Sequence, residues 1–213
     1  TCIACHQTQG HLWQLSDHAY SMAKANGSNI LADFPGASKN KGGLGAQFSK
    51  QDGKFLVELS ETPGTQYEIK YTFGYRPLQQ YLIEAERGKL QVLPFAWDSR
   101  HQREGGGHWY YMYPELVPKK DRLHWMQPLQ NWNGMCADCH SDGLQRNYSL
   151  AENRFASQYK EINVGCLACH DEINTNHHLP NTAAKKTRQV KFIIYHFSII
   201  QIYRKKIRNT SSM

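Results

Sequence analysis

Residues 66–73, Gln66-Tyr67-Glu68-Ile69-Lys70-Tyr71-Thr72-Phe73, alternate polar and apolar side chains along their whole length. An extended chain with a period of two buries one face, so this segment predicts a half-buried β-strand. A similar pattern occurs at residues 54–60 and 89–93, and residues 79–86 predict a further short strand. Turn sequences at 62–65 and 86–89 separate these segments. Together they predict a small antiparallel sheet over about residues 54–93.

The segments on either side of this sheet predict less regular structure. Residues 12–25 predict an amphipathic helix that ends at Asn26-Gly27. The glycine-rich residues 33–53 predict a loop. Residues 94–133, rich in Trp, Tyr, Pro and Gly, predict irregular chain packed on flat apolar surfaces.

Composition and charge exclude several classes of protein. The chain has 213 residues, 40% of them hydrophobic and 20% charged, which is a globular balance. The net charge is +7, but eight basic and no acidic residues follow residue 180. The body before it carries 17 of the 25 basic residues and all 18 acidic ones, so no nucleic-acid-binding face is predicted. No apolar run approaches the roughly 20 residues of a transmembrane segment.

The six cysteines form three C-x-x-C pairs, and a histidine follows each pair directly. The motifs are Cys2-Ile3-Ala4-Cys5-His6, Cys136-Ala137-Asp138-Cys139-His140 and Cys166-Leu167-Ala168-Cys169-His170. This pattern is typical of c-type haem attachment. Two thiols one helical turn apart reach the two vinyl groups of one porphyrin, and the histidine binds the iron from the same side. The sequence therefore predicts three covalent c-type haems (haem C), with His6, His140 and His170 as proximal ligands.

Zinc and disulfide chemistry are the alternatives for these cysteines. Cys136, Cys139, Cys166 and Cys169 would make a Cys₄ zinc site, which leaves Cys2 and Cys5 unused and the three histidines unexplained. A redox dithiol or a disulfide framework ignores the histidines as well. The second and third motifs lie 30 residues apart and share upstream Asn and Gly, so we expect their haems to lie close together. Because the first motif begins at residue 2, any targeting segment is expected to have been removed or left out.

Eight further histidines are candidates for the opposite face of each iron. Their surplus favours histidine on both faces, which gives lower reduction potentials than a His/Met pair. The candidate distal ligands are His18, His124 and His177, with His178, His108 and His101 as alternatives.

Short segments along residues 1 to about 172 carry a family resemblance. The segments are Cys2-x-x-Cys5-His6 with Trp13-x-x-Ser16-Asp17-His18-Ala19, Tyr71-Thr72-Phe73-Gly74, Pro77-Leu78-Gln79-Gln80-Tyr81, Gln91-Val92-Leu93, Ala96-Trp97-Asp98, Gly106-Gly107-x-Trp109, His124-Trp125, and Asn131-Trp132-Asn133 with Cys136-Ala137-x-Cys139-His140-Ser141. They resemble the multihaem c-type cytochromes related to the tetrahaem cytochrome of ammonia oxidisers, including longer members with tetratricopeptide repeats. The resemblance implies a periplasmic or extracellular protein of a bacterium or archaeon with closely stacked haems, and it supports His18 and His124 as distal ligands.

The chain departs from that family after the third motif. The family usually continues with Gly-Pro-Gly-Ser and a histidine, whereas this chain continues from Asp171 to His178 without that sequence. The family's later helices and tetratricopeptide repeats are also missing. The last distal ligand, His177 or His178, is therefore left open.

The combined prediction is an α+β fold with much irregular chain, in which a multihaem cytochrome c core carries a small antiparallel β insert. Residues 1–180 form the trihaem domain, and residues 181–213 form a basic, apolar tail. Within the tail, residues 192–203 are β-branched and aromatic and predict a strand. We expect that strand to pack on its own body or on a second subunit, with a membrane surface third.

Three functions fit this pattern. The first is an electron-transfer protein that serves redox partner proteins. The second is a reductase or oxidase of a small nitrogen or sulfur compound, which needs one haem with an open iron face. The third is a subunit of a polymeric haem wire, assembled as a homo-oligomer or filament through the tail. The carrier is favoured, and enzymatic activity is left undecided.

Overall fold

Nine antiparallel strands form the main sheet in a computed structural model that describes residues 2–39, 43–168 and 170. The strands are β1 (Met22–Lys24), β2 (Gly36–Lys39), β3 (Gly45–Gln51), β4 (Lys54–Leu59), β5 (Gln66–Phe73), β6 (Leu78–Ala85), β7 (Lys89–Val92), β8 (Phe95–Asp98) and β9 (His108–Tyr111). Their hydrogen-bonded order is β2-β3-β4-β5-β6-β8-β9, with β1 beside β5 and β7 beside β6. A separate hairpin pairs β10 (Tyr148–Ser149) with β11 (Arg154–Phe155).

The described helices are short. They are α1 (Gln7–Gln14), α2 (Trp132–Met135) and α3 (Ala137–His140), together with 3-10 turns at Cys2–Ala4, Glu86–Gly88, Gln102–Glu104, Pro128–Gln130 and Cys166–Ala168. Asn131 caps α2, because its side-chain oxygen accepts a hydrogen bond from the N–H of Gly134 at 2.9 Å. None of the helices in the described ranges is long and apolar enough to cross a membrane.

The fold class predicted from the sequence is wrong. The described chain is mostly a curved antiparallel sheet, a half-barrel, and not a helical cytochrome core with a small β insert. The four strands expected within residues 54–93 are present, but the sheet also contains strands formed within residues 36–51 and 95–111. The helix expected over residues 12–25 ends at Gln14, and turns lead into β1. These glycine-rich and aromatic segments lack the alternation of polar and apolar residues that predicts a strand. Their conformation is therefore determined by pairing with neighbouring strands of the sheet.

A bulge in β5 gives this strand two different buried neighbourhoods. Ile69 pairs with Ile83, but the register shifts after Ile69, so that Tyr71 pairs with Leu82. Ile69 and Ile83 belong to one core, whereas Leu82 and Tyr71 belong to another. The extra residue of a bulge redirects the side chains that follow it. One strand therefore supports a hydrophobic core on each face of the sheet.

The first core is largely aromatic. Phe48 and Trp109 stack at 3.6 Å between ring centroids with a 6° angle between planes, and Phe34 packs edge-on against both. The Trp109 indole also donates a hydrogen bond to the carbonyl oxygen of Asp33 at 3.2 Å. Such contacts tie the segment before β2 to β9 and close the open side of the curve.

The second core lies on the other face and carries the second C-x-x-C-H motif. Its buried members are Met22, Leu82, Val92, Trp132 and Ala137. The fully buried Trp132 donates its indole N–H to the sulfur of Met22 at 3.1 Å, which joins α2 to β1. The motif is thus anchored to the sheet through large apolar side chains.

The chain divides into two compact units, Thr1–Ala168 and Cys169–Met213. Within the second unit only residue 170 is described. The domain boundary predicted after residue 180, the tail and any assembly through the tail lie outside the described residues.

Candidate haem attachment sites

The first two motifs adopt the same backbone turn. The carbonyl oxygen of Cys2 accepts hydrogen bonds from the N–H groups of Cys5 and His6, at 3.2 and 2.9 Å. In the second motif the carbonyl oxygen of Cys136 accepts from the two corresponding N–H groups, at 3.1 and 3.2 Å. Residues three and four apart on a helical turn lie on the same face. Each turn therefore presents two thiols and one imidazole together.

The described cysteines are free thiols in two environments. Cys5 and Cys139 are exposed, whereas Cys2, Cys136 and Cys166 are partly buried, and none of the five is in a disulfide. Burial, together with the neighbouring Cys139, raises the pKa of Cys136 to about 11. Each of the first two motifs therefore pairs a sheltered thiol with an exposed one, and no disulfide occupies them.

The described side chains do not assemble a metal site of the zinc type. Residues 2–39, 43–168 and 170 contain no group of three or more His, Cys, Asp or Glu side chains placed to hold a metal ion. Cys169 lies outside the described residues, so the Cys₄ alternative stays untested. A c-type haem needs fewer protein ligands than a zinc ion does, because the porphyrin supplies four of the iron's ligands. The motif then supplies the thiols and one histidine.

The first and third motifs are neighbours in space. The Trp13 indole donates a hydrogen bond to the carbonyl oxygen of Val164 at 2.8 Å, across 151 residues of sequence. The N–H of Val164 in turn donates to the Ser21 hydroxyl at 3.1 Å. Burial raises the pKa of Cys166, and the contact with the Cys2 thiol raises that pKa further. The Cys2 thiol is therefore near enough to Cys166 to influence its pKa.

The second and third motifs are joined by Asp142, two residues after His140. Its backbone N–H donates to the carbonyl oxygen of Glu161 at 2.9 Å, and its own carbonyl accepts from the N–H of Lys160 at 2.8 Å. Its carboxylate accepts a hydrogen bond from the N–H of Leu167, inside the third motif, at 3.0 Å. The start of the third motif, up to Ala168, therefore lies beside segments of both other motifs.

Apolar side chains border the first two motifs. Leu12 and Leu15 are 63% and 69% exposed, and Met135, directly before the second motif, is 54% exposed. Phe73 packs edge-on against His140, with ring centroids 4.7 Å apart. Exposed apolar groups close in sequence to the thiols suit a flat apolar ligand. The residues present therefore fit a covalently attached porphyrin.

His18 lies in the turn segment that contacts Val164, just before the third motif. It is exposed and sits in the turns between α1 and β1, not in a helix. Its carbonyl oxygen accepts hydrogen bonds from the N–H and the hydroxyl of Ser21, and Ser21 also contacts Val164 before the third motif. Its role as a distal ligand stays a prediction, and this position favours it.

His124 occupies a different environment. It is 2% exposed, and its Nδ1 accepts a hydrogen bond from the N–H of Met126 at 3.3 Å. Nε2 therefore carries the proton that is donated to the Glu61 carboxylate at 2.9 Å. The Trp125 indole donates to the same oxygen of Glu61 at 3.0 Å. Both ring nitrogens of His124 are thus engaged by protein groups.

His124 also lies at the far end of β5 from the motifs. Its neighbour Trp125 packs on Tyr67, whereas His140 packs on Phe73. Six residues of strand separate these two contacts, which is about 20 Å. Two imidazoles that bind one iron from opposite faces bring their nitrogens to about 4 Å. The geometry does not favour the distal role predicted for His124, and that role stays untested.

The other candidate ligands are exposed or outside the description. His101 and His108 are exposed and flank the turn between β8 and β9. The proximal candidate His170 is also exposed. His177 and His178 lie outside the described residues. Sequence reasoning missed Phe73, Asp142 and Glu61, because their partners lie far away in sequence and no local pattern marks them.

No family model, no curated protein and no solved structure matches this chain. The resemblance to multihaem cytochromes stays an expectation that rests on short segments.

Proposed function

We propose that this protein is an electron carrier that holds three covalently attached c-type haems. The observation that carries the proposal is the identical turn of the first two motifs. In both, the first cysteine accepts hydrogen bonds from the second cysteine and from the histidine. Two local sequences more than a hundred residues apart share one arrangement of two thiols and an imidazole, which is the arrangement that haem attachment requires.

The polypeptide holds and orients these groups. The haem, when bound, supplies one-electron chemistry at its iron, and the protein tunes it through ligands, burial and nearby charge. Phe73 limits rotation of the His140 ring, and Trp132 fixes the helix before the second motif on the sheet. Attachment points on packed elements keep their separations, which rapid electron transfer needs.

Proximity of the motifs supports exchange of electrons between the attached groups. The Trp13 indole, which follows the first motif, binds the carbonyl oxygen of Val164, and the Asp142 carboxylate binds the N–H of Leu167. Hydrogen bonds therefore link the segments of the first and second motifs to the beginning of the third. This arrangement suits a relay with the third group in the middle, which passes electrons to and from redox partner proteins.

The proposed location is the periplasm or the exterior of a bacterial or archaeal cell. The family resemblance supports this location, and C-x-x-C-H motifs with free thiols are the substrates of haem attachment there. Fractionation of the native host would test it, since the haem-stained protein is expected in the periplasmic or secreted fraction.

The haem count is the direct test. The intact mass of the natively matured protein should exceed the 24.6 kDa polypeptide by three haem masses after denaturation. Replacement of both Cys136 and Cys139 by Ala should remove one haem mass and leave two. Loss of all haem in acidic acetone would reject the proposal, because thioether links survive that treatment.

Electron paramagnetic resonance separates the carrier from an enzyme. A carrier with two strong ligands on every iron should show three low-spin ferric signals and no high-spin signal. A high-spin signal that shifts when a small nitrogen or sulfur compound is added would instead identify an open iron and a reductase or oxidase.

A further inference from the structure

Asp142 is buried between the second and third motifs. It is 3% exposed, and only one of its carboxylate oxygens, Oδ2, has a hydrogen-bond partner among the described residues, the N–H of Leu167 at 3.0 Å. A buried carboxylate with one satisfied oxygen is costly to the fold, so an apolar residue would be the stable choice at a purely structural position. The presence of a carboxylate at this position therefore points to a role beyond packing.

Gly165 makes room for this carboxylate. A side chain at position 165 would overlap the Oδ2 atom of Asp142. The carbonyl oxygen of Gly165 also accepts a hydrogen bond from the N–H of Ala168 at 3.3 Å, within the turn of the third motif. The backbone therefore passes close to the carboxylate where the motif begins, and a Cβ at position 165 would displace the carboxylate.

The charge of Asp142 reaches the first thiol of the third motif. Burial raises the pKa of Cys166 most strongly, the Cys2 thiol contributes next, and the Asp142 carboxylate adds to the same rise. The same carboxylate thus orients the backbone of the motif and imposes a negative potential on its attachment point.

We propose that Asp142 is a positioning residue that locks the third haem-attachment motif to the second and lowers the reduction potential of the haem held at Cys166. This inference rests on the proposed function. The hydrogen bond to Leu167 orders the turn from Cys166 to Ala168, so that its thiol is presented for thioether formation. A buried negative charge stabilises ferric over ferrous iron, because the ferric form carries one more positive charge.

The test uses the full-length, natively matured protein and two readouts, haem occupancy of each motif peptide by mass spectrometry and the midpoint potentials of the three haems. Asp142→Asn keeps an oxygen that accepts from Leu167 but removes the charge. We expect three haems and an upward shift in the midpoint potential of the haem held at Cys166. Asp142→Ala removes the acceptor as well, and we expect occupancy of the Cys166 peptide to fall below half while the other two peptides stay fully loaded.

Gly165→Ala tests the same contact from the opposite side. Its added Cβ should displace the carboxylate and reproduce the selective loss at Cys166. The double variant Asp142→Ala with Gly165→Ala should be no worse than either single variant, because both remove one interaction. Asp121→Asn is the matched control: the Asp121 carboxylate also accepts from a turn N–H, that of Leu123 at 2.8 Å, but it is exposed. The control should change neither readout.

Two negative results have different meanings. Wild-type protein without three covalent haems would reject the proposed function, and this inference with it. Three haems in the wild type, with all potentials unchanged in Asp142→Asn, would overturn the inference alone. If Asp142→Ala or Gly165→Ala fails to fold, the potentials of Asp142→Asn still decide the matter.

Discussion

The ring of Phe73 meets the imidazole of His140 edge-on, at 4.7 Å between centroids and 84° between planes. Phe73 ends β5 and pairs with Met22 of β1, so the contact ties the second motif to the centre of the sheet. The orientation of a predicted iron ligand is therefore set by a strand that lies far from it in sequence.

Removal of the Phe73 ring should change the resonance signal of one haem. In Phe73→Leu we expect three haems to remain attached, while one low-spin resonance signal shifts because the His140 ring gains rotational freedom. Phe55→Leu, in the core on the other face, is the control for lost packing and should leave all three signals in place. Identical spectra in the two variants would mean that Phe73 has no influence on the ligand.

Loss of the buried imidazole of His124 should affect stability and not the haems. His124→Gln leaves the Glu61 carboxylate with a poorer donor, and we expect the free energy of unfolding to fall by about 1–3 kcal/mol. Denaturant titration measures this change, and Glu61→Gln should show a non-additive effect in the double variant. Disappearance of one low-spin signal in His124→Gln would instead establish His124 as an axial ligand.

His18→Met tests the candidate distal ligand that lies near the third motif. A thioether ligand stabilises ferrous iron better than an imidazole does, so the potential of one haem should rise and its spectrum should change. His11→Met, at an exposed position of α1, is the control and should leave all haems unaltered. Unchanged potentials in His18→Met would remove His18 from the ligand set.

The contact between Trp132 and Met22 should behave as a coupled pair. Met22→Leu conserves volume but leaves the buried indole N–H without its acceptor, at a cost of about 1–3 kcal/mol. Trp132→Phe removes the donor and leaves a cavity, at a similar cost or more. The double variant should lose less than the sum of the two, as measured by thermal or denaturant unfolding. Strict additivity would show that the N–H to sulfur bond contributes nothing.

Some of the fold and of the candidate site could be predicted from local sequence. The alternation of residues 66–73 predicted β5, and the pattern at 54–60 predicted β4, because a period of two is a property of the extended chain itself. The arrangement of the thiols of Cys136 and Cys139 with His140 is likewise local, since five consecutive residues close one turn. Such features depend on neighbours in sequence and are visible in the sequence alone.

The tertiary structure decided how these pieces are used. The bulge after Ile69 turns Tyr71 toward the face that carries the second motif, and no local pattern marks that shift of register. His124 binds Glu61 near the Tyr67 end of β5, although the residues beside His124 in the sequence suggested an iron ligand. Cys2 lies near Cys166 only because contacts between distant residues, such as Trp13 with Val164, bring the two segments together. The sequence by itself determined the motifs and the central strands, whereas contacts between distant residues decided the neighbours of each motif, because packing and register depend on the whole fold.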